Sequence, residues 1–268
     1  MSASDNLKYV TKLSKKRVLI FGGTSGIGFC VAEAALEHGA SVILSGSNPD
    51  KLSKAIDRLK TAYPSFAAEN VSGYTCDLSQ SEGLETNLET LFKSATSGGS
   101  RPLDHITFTA GDALKVTHVS EASVDFIQKV GVVRFVAPLV LAKVAPKYLV
   151  PGPSSSITLT GGTNSSKPSP GWAIMAGWGA GIEGIARGLA VDLKPIRVNL
   201  VSPGAVHTEL FDSIPAEMLE GFLKQAREAT LTGEVGKPEH LAEAYIYAMK
   251  DHFISGTVIS SDGGRLLA

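Results

Sequence analysis

The sequence has little cysteine, and it carries no excess of charge of either sign. Its two cysteines, Cys30 and Cys76, form no C-x-x-C pair and no cluster with histidine, so we expect no metal site. Thiols this sparse suit a reducing compartment. The 25 basic and 26 acidic residues leave a net charge of −1, without the basic stripe typical of nucleic-acid binders. We therefore expect no nucleic-acid partner.

Long hydrophobic runs are also missing from the chain. Residues 1–16 are polar and lack the apolar core of a secretory signal peptide. The apolar stretch at 130–150 contains Arg134, Lys143 and Lys147, which make it too interrupted to span a membrane. The sequence therefore predicts a cytoplasmic protein with no membrane partner.

Short apolar or β-branched runs alternate with helical stretches along the whole chain. The composition is globular, with 43% hydrophobic and 19% charged residues. Continuous apolar runs are typical of strands buried on both faces of a parallel sheet. We predict an α/β, Rossmann-type, doubly wound and mostly parallel seven-stranded sheet in a single domain over 1–268, with 1–15 as a flexible or extra N-terminal segment. The predicted strands are 17–21, 41–45, 71–76, 105–109, 156–160, 197–201 and 257–260, and the predicted helices are 27–38, 49–62, 81–94, 123–149, 172–193, 215–229 and 238–249.

A glycine-rich turn follows the first predicted strand and leads directly into a helix. Glycines allow the backbone to turn tightly and approach a phosphate, and a helix N-terminus offers free N–H groups and a positive dipole. The position of the turn favours a pyrophosphate-binding loop, although a glycine-rich turn without a ligand is the alternative. The segment is Phe21-Gly22-Gly23-Thr24-Ser25-Gly26-Ile27-Gly28.

The spacing Gly22-x-x-x-Gly26-x-Gly28 resembles that of the short-chain dehydrogenase/reductase family. Four further segments match the family's motifs in the same order along the chain, so the resemblance covers the whole sequence. These segments are Cys76-Asp77-Leu78, Thr109-Ala110-Gly111, the proline–glycine loop at 202–208, and 256–264.

The resemblance implies a set of cofactor-binding residues. It places Asp77, followed by Leu78, at the adenine, and it turns Val206 and Thr208 toward the nicotinamide. The other residues that it assigns to cofactor binding are Gly22, Thr24, Ser25, Gly26, Ile27, Gly28, Ala110, Gly111, Pro203 and Gly204.

The end of the second predicted strand indicates which nicotinamide cofactor is bound. An acidic residue there would hold the ribose 2′-hydroxyl of NAD. The strand is instead followed by Ser47 and Asn48, neutral donors that can bond the 2′-phosphate of NADP. We therefore favour NADP(H) over NAD(H).

The family reduces carbonyls with a Tyr-x-x-x-Lys pair assisted by a Ser and an Asn, because the alkoxide formed by hydride addition must be protonated. None of the six tyrosines in this chain has a lysine four residues later. Alignment on the family's helix places Met175 at the Tyr position and Gly179 at the Lys position. Gly162 falls at the Ser position and Gly131 at the Asn position. The resemblance thus implies that the chain has the fold of the family but lacks the side chains that supply the proton.

Two interpretations of this loss stay open. The chain is either a non-catalytic NADP-binding pseudoenzyme or scaffold protein, or an atypical NADPH-dependent oxidoreductase whose small-molecule substrate needs no proton donor. An iminium ion fits the second case, because it is already cationic and hydride addition gives a neutral amine.

Arg134 and Trp172 are the candidate catalytic residues. Arg134 lies in an apolar helix, where it either anchors substrate or forms a structural ion pair. Trp172 ends a proline-flanked loop and offers an aromatic face to substrate, to the core or to an oligomer interface. The pair resembles the Arg and Trp of fungal indole-alkaloid reductase/Diels–Alderases, in which an Asp falls at Ser169 of this chain. This narrower resemblance implies reduction of an alkaloid iminium, with or without a guided cycloaddition, in secondary metabolism.

The predicted helix at 172–193 is unusually rich in glycine. Each interior glycine costs about 0.5–1 kcal/mol relative to alanine, a cost that is tolerated where another backbone or subunit comes close. The equivalent helix of the resembled family lies in a subunit interface, so we predict a homo-oligomer. Trp178, on the same helix, is expected to pack against the protein itself.

Overall fold

A computed structural model describes residues 7–113 and 116–268, and this part of the chain forms one seven-stranded sheet of parallel strands. The strand order is β3-β2-β1-β4-β5-β6-β7, as expected for a doubly wound fold. The predicted fold class is confirmed. The strands are β1 (Arg17–Phe21), β2 (Ser41–Gly46), β3 (Val71–Thr75), β4 (His105–Phe108), β5 (Ser156–Thr160), β6 (Arg197–Pro203) and β7 (Val258–Ser261).

Helices cover both faces of the sheet, and most lie within a few residues of their predicted bounds. A short helix at 64–70, which starts at a proline, was not predicted. The helices are α1 (Gly26–Glu37), α2 (Pro49–Ala62), α3 (Pro64–Asn70), α4 (Leu84–Ala95), α5 (Val124–Lys129), α6 (Ala137–Val144), α7 (Ala173–Asp192), α8 (Ala216–Glu228) and α9 (Pro238–Lys250).

The continuous helix predicted over 123–149 is wrong. After α5, the chain forms a π-helical segment at Val132–Val136, where the Val136 N–H donates to the Gly131 carbonyl. Pro138 supplies the physical reason, because it has no N–H and its ring crowds the carbonyl four residues earlier. That carbonyl belongs to Arg134, so the helical register changes at a candidate site residue.

The strand β1 is buried on both faces, as its apolar run predicts. Leu19 and Phe21 belong to the core on one side of the sheet, whereas Val18 and Ile20 belong to the core on the other. All four side chains are at most 1% exposed. Because β1 is packed on both sides, the position of its last residue, and of the turn that follows it, is fixed by the core.

The N-terminal segment is described from residue 7 onward, so the prediction for residues 1–6 lies outside the described part. Residues 7–15 form turns packed on the domain. Leu13 is 1% exposed, and the Lys15 N–H donates to the Gly39 carbonyl at 2.8 Å. No helix in the described ranges is long and apolar enough to cross a membrane.

The buried side chain of His105 leads us to expect that the stability of this fold depends on pH. Its ring is 1% exposed in β4, and Nδ1 lies 2.9 Å from Ser156 Oγ. Burial, assisted by the positive charge of Arg197 and Lys16, lowers the pKa of His105 to about 3. The unfolded chain therefore takes up this proton first, near its ordinary pKa of about 6.5.

We expect the contribution of neutral His105 to stability to be complete above about pH 6.5 and to decline as the pH falls toward 3. At pH 4.5 the loss is about 3 kcal/mol. Urea unfolding at pH 8 and pH 4.5 measures it, and His105→Gln removes this part of the pH dependence. The exposed His118 provides the control variant, His118→Gln. Equal pH dependence in His105→Gln and the wild type would contradict the prediction.

Candidate functional site

The candidate site lies at the carboxyl edge of the sheet, where the strand order reverses. The strand β1 has β2 on one side and β4 on the other, so the chain segments that follow β1 and β4 diverge and leave a crevice. Ligands of open α/β sheets bind in this type of crevice. The predicted glycine-rich turn and the Thr109-Ala110-Gly111 segment meet there.

The glycine-rich turn fits a dinucleotide. A Cβ on Gly22 would lie 2.7 Å from the Ala110 nitrogen, and one on Gly28 would lie 2.4 Å from Thr109 Oγ1. Only glycine allows these approaches. The N-cap of α1, Ser25, makes no side-chain capping bond, and the first turn of α1 contains no acidic residue. The N–H groups and dipole of α1 therefore suit a pyrophosphate.

The proline–glycine loop after β6 reaches over the start of α1. Thr208 Cγ2 would lie 3.2 Å from a Cβ on Gly26. The main chain of Val206 pairs with Gly236, and its side chain is 7% exposed within the core. The structure thus brings Thr208 together with the glycine-rich turn. Pro203 ends β6, and Gly204 follows it directly.

The residues predicted for the adenosine end of the cofactor lie after β2 and β3. Asn48 Oδ1 accepts from the Lys51 N–H at 2.9 Å and caps α2, and Ser47 is exposed beside it. Asp77 is exposed, and its Oδ1 accepts from the Ser79 N–H at 2.8 Å. The Leu78 side chain is 6% exposed in the core, so only its backbone is available to a ligand.

The remaining predicted residues of the glycine-rich turn have structural contacts of their own. Thr24 Cγ2 would lie 2.8 Å from a Cβ on Gly46, which packs the turn against the end of β2. Ile27 is partly buried against the core. These contacts fix the turn in place.

The space beside Gly131 is filled by the indole of Trp178. A Cβ on Gly131 would lie 2.7 Å from that ring. Trp178 Nε1 donates to the Ile127 carbonyl at 3.1 Å, and the ring centroid lies 4.7 Å from that of Phe135. The expectation that Trp178 packs against the protein agrees with these contacts. The indole occupies the place where a side chain at 131 would begin.

The other three positions at which the resemblance places catalytic side chains also lack a proton donor. Gly162 follows β5, and Met175 and Gly179 lie on α7, one turn apart. Ser165 packs beside Gly179, with its Oγ 2.9 Å from the Gly162 carbonyl and 2.5 Å from Glu183 Oε1. The Ser165 hydroxyl is therefore engaged within the protein.

Nearby hydroxyl groups are also engaged. Thr160 Oγ1 donates to the Phe108 carbonyl at 2.6 Å, which leaves the Tyr245 hydroxyl to donate to Thr160 at 2.7 Å. Tyr245 is fully buried, and burial raises the pKa of its hydroxyl. Tyr245 therefore joins α9 to β5, and its hydroxyl proton is used in that contact.

Arg134 is paired with Asp112, a residue that the sequence analysis missed. Arg134 Nε lies 3.3 Å from Asp112 Oδ1, and Nη2 donates to the Asp112 carbonyl. The guanidinium packs so closely on Gly111 that a Cβ there would lie 2.6 Å from it. Burial lowers the pKa of Arg134, and Asp112 opposes that shift. The sequence feature that could have indicated this pair is the acidic residue directly after the Thr109-Ala110-Gly111 segment.

Trp172 is the N-cap of α7, and its N–H donates to the Ser169 carbonyl at 3.1 Å. Gly171 has a φ of +80°, and a Cβ there would lie 3.0 Å from Val116. Within residues 7–113 and 116–268, no hydrogen bond or ring contact joins Trp172 to Arg134. A direct pairing of the two candidate catalytic residues is therefore not part of this structure.

The fold and the site define a Rossmann-type oxidoreductase. The family model for the SDR-like Rossmann domain matches residues 9–268. The chain belongs to the short-chain dehydrogenase/reductase family.

Individual relatives extend the comparison. The chain is 46% identical over 255 residues to the short-chain dehydrogenase/reductase malC of Malbranchea aurantiaca, covering 95% of this chain and 96% of that one. The solved structure of MalC reductase/Diels-Alderase from the same organism has a TM-score of 0.92 at 45% identity, covering 97% of this chain and 100% of the other. A small-chain dehydrogenase solved in complex with NADPH has a TM-score of 0.74 at 26% identity, covering 95% and 100%.

Alanine substitution is expected to have opposite effects on the stability of the protein at Gly131 and at Gly179. Gly131→Ala would drive a methyl group into Trp178, and such overpacking destabilises by about 1–3 kcal/mol. At Gly179 the nearest atom is Ser165 Cβ at 3.4 Å, an ordinary contact. Gly179→Ala should therefore stabilise α7 by about 0.5–1 kcal/mol. Urea unfolding of the two variants measures the difference. A stabilising Gly131→Ala would show that Trp178 does not fill this space.

Proposed function

We propose that this protein is an NADPH-dependent reductase of a small cationic molecule, an iminium of the alkaloid type, in fungal secondary metabolism. The observation that carries the proposal is the missing proton donor. Met175 stands on α7 at the position of the family's tyrosine, and the indole of Trp178 fills the place where a side chain at 131 would begin. Substrates that need a proton from the enzyme do not suit such a site.

The need for a proton donor depends on the charge of the product of hydride addition. NADPH, when bound, supplies a hydride. A ketone that accepts a hydride becomes an alkoxide, which requires a proton donor, whereas an iminium becomes a neutral amine and requires none. The residues of this site therefore need only to orient the substrate and exclude water.

The preference for NADPH rests on the end of β2. Ser47 and Asn48 are exposed there and carry no negative charge that would repel a 2′-phosphate. The similar small-chain dehydrogenase solved with NADPH supports the same cofactor. The fit of the glycine-rich turn to a pyrophosphate does not itself distinguish the two nicotinamide cofactors.

The Arg134–Asp112 pair explains how a site with an arginine accepts a cation. Arg134 alone would repel an iminium, but the carboxylate of Asp112 offsets its charge. The guanidinium then donates hydrogen bonds to uncharged oxygens of the substrate. Asp112 acts here as a positioning residue and as the compensating charge.

The reduction also agrees with the relative solved as a reductase/Diels-Alderase. Our proposal is confined to the reductase activity. Ser169 stands where the resembled group has an Asp, and a serine hydroxyl provides no negative charge.

Turnover of NADPH with cyclic iminium salts and with matched ketones tests the proposal. We expect NADPH oxidation with the iminium salts and none above background with the ketones. Ketone reduction at ordinary rates would contradict the argument from the missing proton donor. Tight NADPH binding without turnover of either class would favour a non-catalytic role.

Asp112→Asn should lower kcat/KM for a cyclic iminium. The substitution leaves the charge of Arg134 uncompensated, and because the pair is partly exposed we expect a loss of about tenfold. The dissociation constant of NADPH should not change. Asp125→Asn is the matched control, because Asp125 pairs with Lys129 at 3.0 Å on the surface. An unchanged kcat/KM in Asp112→Asn would show that the pair does not face the substrate.

The exposed face of α7 supports a homo-oligomer. A Cβ on Gly177, Gly184 or Gly188 would meet nothing within 4 Å, and Val191 is 67% exposed on the same helix. This face offers a flat surface to a second copy of the chain. Sedimentation at micromolar concentration should show an oligomer, and a purely monomeric boundary would refute the assembly.

A further inference from the structure

The chain makes a tight turn after β7, and we call residues 262–265 the terminal turn. Asp262 Oδ1 accepts from the Gly264 N–H at 3.0 Å, which closes the turn. Gly263 and Gly264 have φ values of +65° and +76°. The following residue, Arg265, is thereby directed across the surface toward the loop between β5 and α7.

Arg265 and that loop are joined by reciprocal hydrogen bonds. Arg265 Nη1 donates to the Lys167 carbonyl at 3.2 Å, and Nη2 donates to Asn164 Oδ1 at 3.3 Å. In return, Lys167 Nζ donates to the Arg265 carbonyl at 3.1 Å and to the main-chain oxygen of Ala268. The loop that leads to Trp172 is thus held from the side by the last described residues.

The terminal turn also contacts the segment that follows α8. The N–H groups of Leu231 and Thr232 donate to the Gly263 carbonyl at 2.8 and 3.1 Å. Leu231 packs on Gly264, where a Cβ would lie 2.9 Å from its side chain. Nearby, the Gly204 N–H donates to the Ser261 carbonyl at 3.3 Å. The terminal turn and the end of β7 therefore join the proline–glycine loop, the segment after α8 and the loop before Trp172.

From these contacts we infer that Arg265 is a positioning residue that holds the 163–171 loop, and with it Trp172, in place at the start of α7. The inference rests on the proposed function in one respect: it takes Trp172, a candidate catalytic residue from the sequence, to face the substrate. The planar guanidinium suits this task because its separate N–H groups reach a carbonyl and an amide oxygen at once. Loss of Arg265 frees the loop without touching the cofactor-binding turn.

Hydrogen–deuterium exchange on the ligand-free protein tests the structural part of the inference. Arg265→Ala should speed exchange of the 163–172 amides by about three- to tenfold, the effect of losing two surface hydrogen bonds. Asn164→Ala, which removes one acceptor, should give a smaller increase in the same amides. Arg101→Ala is the control, because Arg101 is exposed and lies before β4, at the amino ends of the strands and away from the 163–171 loop. Wild-type exchange rates in Arg265→Ala would overturn the inference.

Kinetics with the cyclic iminium test the positioning part. We expect Arg265→Ala to raise KM by more than it lowers kcat and to leave the dissociation constant of NADPH unchanged. A wild-type KM despite faster exchange would refute the role in positioning Trp172. If the wild-type protein reduces no iminium, the proposed function fails, while the exchange data still decide whether Arg265 holds the loop.

Discussion

The site depends on glycines against which other groups pack at distances that no Cβ allows. At Gly22 and Gly28 the main chain of Ala110 and the hydroxyl of Thr109 come close, and this fixes the glycine-rich turn against the end of β4. Two further glycines are packed in the same way, since the guanidinium of Arg134 lies on Gly111 and the indole of Trp178 lies on Gly131. The same close packing thus builds the glycine-rich turn and places the Arg134 guanidinium and the Trp178 indole.

A site built in this way differs in charge from one built around a tyrosine and a lysine. Arg134 and Asp112 form a compensated pair, and the hydroxyls of Ser165, Thr160 and Tyr245 are engaged within the protein. This arrangement is the reason why we propose a substrate that already carries its positive charge. Membership of the short-chain dehydrogenase/reductase family therefore does not by itself imply ketone reduction.

Much of the fold followed from local patterns in the sequence. The run in β1 is buried on both faces, so its apolar continuity predicted a central parallel strand correctly. The break in the helix after α5 was not predicted. It arises because Pro138 disturbs the hydrogen bonding of the preceding turn, at Arg134, and the spacing of apolar residues does not reveal such a change. Asp112 was missed because its pairing with Arg134 joins residues that only the folded chain brings together. The contacts of Arg265 were not predicted for the same reason, because they join the terminal turn to the loop between β5 and α7, which is distant in the sequence.

The central claim is that hydride transfer in this site requires no proton from the protein. Single-turnover oxidation of bound NADPH by a permanently charged cyclic iminium measures that step directly as a function of pH. Our account predicts a rate constant that does not vary with pH wherever the protein remains folded. A rate constant that falls tenfold per unit as the pH rises would reveal a proton donor in the site and would contradict the account.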